Sequence, residues 1–152
     1  FLLSCIRIWV GYTRQLEDDM TRILNPVIWL WVFAALNLFV GSGPAILDGQ
    51  SVAEMGWGSD NVGLHDGYYE TTMAVTFALL SIIAAGIALF TSGLARAKMT
   101  TLLGVSLLGM MVIWLTYASS NDYDIGGAII ILPIALFSLL TLSGILNLKS
   151  SE

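Results

Sequence analysis

The chain has 152 residues, of which 57% are hydrophobic and only 11% charged, with mean hydropathy +0.82. Charged residues make up about a quarter of an ordinary soluble domain, so this composition excludes one. The net charge of −5 argues against nucleic acid as a partner, and the single cysteine, Cys5, excludes an intrachain disulfide or a cysteine metal cluster.

Residues 1–19 stand apart from the rest. The chain opens on Phe1, whereas Met20 directly precedes Thr21-Arg22-Ile23-Leu24-Asn25-Pro26, a compact start for a membrane protein. Purine-rich codons for Leu16-Glu17-Asp18-Asp19 would resemble a ribosome-binding sequence, so this leader reads as upstream DNA translated in frame. The competing reading makes it an interfacial helix or the tail of an earlier span. Its apolar run, Phe1-Leu2-Leu3-Ser4-Cys5-Ile6, is too short to cross a bilayer.

From residue 20 onward the apolar residues fall in four blocks of roughly 20, each enough for about 30 Å of hydrocarbon. Span one is expected over about 26–47. Pro26 suits a first helical turn, Trp29 and Trp31 suit a membrane interface, and Gly41-Ser42-Gly43-Pro44 should loosen the far end. Arg22, an apolar core and the small Gly41 and Gly43 also fit a cleaved signal peptide, although Pro44 would follow the cut. Residues 48–69 form the only sizeable extramembrane part. Ser51 and Glu54 resemble a capping box, which predicts a short lid helix, and Gly56, Gly58 and Gly63 around Trp57 read as turn.

Span two is expected over about 68–92, with Asp66 as its cap, Glu70 against the helix dipole and Gly93 as its stop. Arg96 and Lys98 are expected in a tight loop. Span three follows over about 99–117, ending at Trp114 and Tyr117, and span four over about 125–148, with Pro133 expected to kink it. Arg7, Arg14, Arg22, Arg96, Lys98 and Lys149 all fall on one side of this threading. The opposite segments carry Asp48, Glu54, Asp60, Asp66, Asp122 and Asp124 and no Lys or Arg. Because basic residues resist translocation, both chain ends are expected in the cytoplasm of a cell with this inner membrane. The expected fold is an all-α integral membrane protein, a four-transmembrane-helix antiparallel bundle with a short lid between spans one and two, residues 20–152 forming one domain.

Lipid does not drive helices together, so small residues must let them pack. Span two offers Ala74, Ala78, Ser81 and Ala85, with Gly86 and Ala88; span three offers Gly104, Ser106 and Gly109; span four offers Gly127, Ala128, Ala135 and Ser138. These serve contacts within one bundle or a homo-oligomer interface. Asn37 is the strongly polar residue of span one and needs a partner, a carbonyl or the hydroxyl of Ser81 or Thr76. Glu70 is either a dipole-matched carboxylate one turn into its helix or an intramembrane acid of the kind that handles protons and cations. Asn37, Glu70, Thr76 and Ser81 are therefore the candidates for a proton or solute path. His65, Asp66 and Glu70 form the densest polar cluster and are the candidates for a metal site, although their spacing matches no ligand motif.

Neither a nucleophile–base pair nor a phosphate-binding glycine loop nor a helical histidine pair for haem is present, so no catalytic residue and no cofactor is assigned. The order of spans, the outer lid and the basic hairpin are similar in outline to small bacterial four-helix membrane proteins of the DoxX-like kind, a likeness of topology that carries no function. The expected partners are the lipid bilayer and other subunits of a membrane assembly, for which the chain is a non-enzymatic accessory or scaffold. The alternatives are an oligomeric small-solute or proton-coupled transport protein, and a membrane oxidoreductase subunit with a quinone near Trp114 and Tyr117.

Overall fold

Asn25 starts the first long helix by accepting, through Oδ1, the backbone N–H of Val27 at 2.9 Å, and Pro26 occupies the first helical position, where no N–H is needed. The computed structural model describes residues 19–121 and 127–148, with side chains of the last helix described from residue 130. Most of the leader, Asp122, Asp124 and Lys149 lie outside the described residues, as do the side chains of Gly127 and Ala128. The elements in order are α1 (Pro26–Leu36), a π-helical turn (Asn37–Ser42), α2 (Gly43–Leu47), α3 (Gly49–Trp57), a 3-10 turn (Ser59–Asn61), α4 (Asp66–Phe90), α5 (Gly93–Ser119) and α6 (Gly127–Leu146). No strand occurs among the described residues.

Three helical runs are long and apolar enough to cross a membrane: Asp19–Leu47, which takes in α1, the π turn and α2, then Asp66–Phe90 and Gly93–Ser119. Within their most apolar stretches only 28%, 28% and 17% of residues are buried inside the protein, so most of that surface points outward, as in a protein solvated by lipid. The segment Ile130–Leu146 of α6 is a shorter apolar helix, running through Pro133.

The core sits towards one end of the molecule, the end holding the α4–α5 turn. There Leu30, Phe33 and Ala34 of α1 meet Ala84, Ile87 and Ala88 of α4, Leu107 of α5 and Leu136 and Leu140 of α6. Phe33 and Phe137 pack edge to face with centroids 6.0 Å apart. Asn147 closes this end: its Nδ2 donates to the Leu24 carbonyl at 3.0 Å and to the Ser143 carbonyl at 2.9 Å. Towards the other end the packing divides. The first half of α4 is covered by the π turn, α2 and α3, whereas the far halves of α5 and α6 expose Met110, Val112, Ile113, Ile131 and Leu132.

Close helix contacts are made where side chains vanish. On α4 the buried Gly67, Ala74, Ser81 and Ala88 recur every seven residues, a seam of small side chains along one helix face. Gly67 faces the backbone of Gln50 on α3, so closely that a Cβ there would lie 2.9 Å from Gln50 Cα. On α5 and α6 the same short pattern occurs twice, as Thr101-Leu102-Leu103-Gly104 and Thr141-Leu142-Ser143-Gly144. The two pack antiparallel, Gly104 against Thr141 and Gly144 against Thr101. Each threonine satisfies its hydroxyl within its own helix, Thr101 on the Ala97 carbonyl at 2.9 Å and Thr141 on that of Phe137 at 2.7 Å. The joint therefore holds by backbone approach and dispersion.

Three local expectations change. The lid helix α3 is capped by Asp48, not Ser51: Asp48 Oδ1 accepts from the Ser51 N–H at 3.1 Å and Oδ2 from the Ser51 hydroxyl at 2.7 Å. Asp66 opens α4 as a helical residue, and its carboxylate accepts from the Gly63 N–H at 2.6 Å, closing the preceding turn. Arg96 and Lys98 are not in a loop. The turn is Thr91-Ser92, and Gly93, at φ +52°, reverses the chain and begins α5 instead of merely ending α4. The Arg96 guanidinium folds back to donate to the Thr91 carbonyl at the C-terminus of α4, where a cation is favoured.

The Asp48 cap makes the lid sensitive to acid. The Ser51 hydroxyl, then the Ser51 backbone N–H, stabilise the carboxylate and hold its pKa below the ordinary 3.8. A depressed folded-state pKa contributes stability that is present above the unfolded value and is lost as pH falls through the folded one. The Ser51 amide proton resonance should therefore titrate with a midpoint below 3.8, and Asp48→Asn should abolish that titration.

Candidate functional site

The polar residues of the first apolar run gather around the π turn. Asn37 begins it, at the point where α1 ends, and both of its amide protons are used on α4: Nδ2 donates to the Phe77 carbonyl at 2.8 Å and to Ser81 Oγ at 2.9 Å. Ser81 is itself buried in the small-residue seam, which lets the two backbones come within reach of one amide. Further along, Thr71 of α4 donates through Oγ1 to the Ala45 carbonyl of α2 at 3.0 Å. Between these two ties lies Ser42, 2% exposed, whose hydroxyl has no hydrogen-bond partner.

The geometry follows from the extra residue in a π turn. In an α-helix a residue that shares the buried face with Asn37 lies three or four positions on, at Val40 or Gly41. Here Val40 and Gly41 are exposed and Ser42 is buried, followed by Ala45 and Gly49. Hydrogen bonds that span five residues place Asn37 and Ser42 on one side, so the face against α4 continues one residue out of step.

The other candidate residues are placed apart from this node. Thr76 is exposed and spends its hydroxyl on the Thr72 carbonyl at 2.9 Å, and Thr72 does the same on Tyr68 at 2.8 Å. Glu70 lies half-buried one turn into α4, eleven residues before Ser81 and so about 16 Å away along the axis. Of the packing candidates, Ala74, Ser81 and Gly104 are buried, Ala78 and Ala85 are half-buried, and Gly109 faces open space. His65 is exposed, and among the described residues no group of three His, Cys, Asp or Glu side chains is placed to hold a metal ion.

Ser42 was not among the residues singled out from the sequence. The signal was the pair of glycines on either side of it, which points to close backbone approach as well as to a loosened helix. No family model, curated protein or solved structure matches the chain.

If the Asn37 joint is a helix–helix tie, Asn37→Ala and Ser81→Ala should each destabilise the protein by about 1 kcal/mol, and the double variant should cost less than their sum. Thermal unfolding of the four proteins of this cycle in one detergent checks it. A coupling of zero would show that the bond between Asn37 and Ser81 contributes nothing to stability.

Proposed function

We propose that the chain is a non-enzymatic accessory or scaffold component of a membrane assembly, built from four spans with α6 as the fourth, and with both termini on the cytoplasmic side of an inner membrane. Support for the orientation comes from charge. Arg22 lies just before α1, and Arg96 and Lys98 lie in the first turns of α5, all at the end that holds the core. The 20 residues of α6 give about 30 Å of helix, the thickness of the hydrocarbon layer.

One observation carries the scaffold reading: the far halves of α5 and α6 present apolar side chains that, among the described residues, no other helix covers. Ser106 is exposed on α5, and a Cβ added at Gly109 would meet nothing within 4 Å. Small residues at an open helix surface let a second backbone approach, which lipid chains do not require. The occupant of this reading is a membrane helix of another subunit.

A photo-crosslinking amino acid at Val112 or Ile113, activated in native membranes, should give one discrete protein adduct, and Gly109→Leu should remove it. Adducts with lipid alone would overturn the reading. A reporter fused after Ser120 should be reachable only from the non-cytoplasmic side of the membrane, and reactivity from the cytoplasm would overturn the orientation. The transport reading draws on the unpartnered Ser42 hydroxyl on the same face as Asn37. It requires Glu70→Gln to abolish flux through an assembled protein.

A further inference from the structure

A hydroxyl inside a membrane helix ordinarily donates to the carbonyl four residues before it. Thr72, Thr76, Thr100, Thr101, Thr116 and Thr141 all do so. The equivalent acceptor for Ser42 is the Leu38 carbonyl, and Ser42 does not use it although it has no other partner. The reason is the π register. The Leu38 oxygen is turned towards Gly43, where an added Cβ would stand 3.1 Å from it. Donor and acceptor are kept apart by one step of hydrogen-bond register.

We propose that Asn37–Ser42 is a register switch that repositions the lid. In one state, the π turn places Ser42, Ala45 and Gly49 against α4. In the other, the ladder runs as an ordinary α-helix, Ser42 Oγ donates to the Leu38 carbonyl, and everything beyond turns by about 100° around the helix axis. That rotation carries α2 and α3 around α4 and releases the Thr71–Ala45 tie and the Gly49–Gly67 contact.

The two states exchange comparable interactions. The π state has the interhelical bond and the close lid packing but leaves a buried hydroxyl unsatisfied; the α state satisfies the hydroxyl and gives up the bond. Asn37 stays tied to Phe77 and Ser81 in both, because it is the first residue of the turn and continues the register of α1, and so acts as the fixed end of the hinge. The switch lies at the end of the first helix and does not involve the surfaces of α5 and α6.

Relaxation-dispersion NMR on the full ¹⁵N-labelled chain in lipid nanodiscs tests it. Exchange on the μs–ms scale is expected at the amides of Gly41, Ser42, Gly43, Ala45 and Thr71, and not at those of the core residues Leu30, Ile87 and Leu140. Ser42→Ala removes the group that the α state satisfies, so the minor population should fall at least about five-fold and the dispersion with it. Deleting Val40 removes the surplus residue. It should give a continuous helix with Asn37 and Ser42 both still facing α4, and no dispersion at these amides. A flat profile in the native chain, dispersion unchanged by Ser42→Ala, or a Val40-deleted chain that fails to fold would each overturn the switch.

Discussion

Gly104→Leu should separate α5 from α6 and destabilise the protein by about 3 kcal/mol. The first carbon of the new side chain would collide with Thr141 Oγ1 and lie 2.8 Å from both Thr141 Cα and its backbone nitrogen. The obstacle is mostly backbone, which cannot rotate away. Thr141→Ala should therefore fail to rescue Gly104→Leu, although it removes the hydroxyl. Gly144→Leu meets the mirror-image obstacle, 2.6 Å from the Thr101 nitrogen, and should cost about as much. Gly109→Leu, two turns or less along the same helix, meets nothing within 4 Å and should leave the unfolding midpoint of the isolated protein unchanged. Equal effects at Gly104 and Gly109 would mean that the glycines act through helix propensity and not through contact.

Gly67→Leu should undock the lid while leaving the core closed. A Cβ at Gly67 would lie 2.9 Å from Gln50 Cα and nitrogen, so α3 has to move away from α4. A helix of nine residues is marginal on its own in water, and α3 should then unfold. A penalty of about 2–3 kcal/mol corresponds to roughly 30- to 150-fold faster hydrogen exchange at the amides of Ala53 and Gly56. Exchange at Leu30 and Leu140 should not change, because the core lies at the opposite end of α4. Uniform acceleration across all four sites would show that lid and core are one cooperative unit.

The helices are legible in the sequence because their marks are coarse: long apolar blocks, and Pro26 at a helix start. The tie from Asn37 to Ser81 is legible for a related reason, since a lone amide among apolar residues must find an acceptor on a neighbour. Finer choices depend on competition between near-equivalent groups. Asp48 and Ser51 are both good caps, and the carboxylate wins by accepting two bonds at once. Gly93 both ends a helix and begins one, which periodicity alone does not distinguish. The π turn is hardest to read, because it appears only as a one-residue slip in which face is buried, and that slip is defined by the partner helix. Likewise, the small residues Gly104 and Gly109 look alike in sequence, yet only Gly104 meets a threonine across a crossing.

Asn147 donates to a carbonyl 123 residues earlier, at Leu24. Leu24 sits in the turn just before α1 and Asn147 just after α6, so during synthesis the donor emerges only after every described helix between them. The latch between the two can therefore shut only once α1 to α6 have all been made. A product cut short before Asn147 would leave the Leu24 carbonyl without this donor, and so lose the tie between the start of α1 and the end of α6.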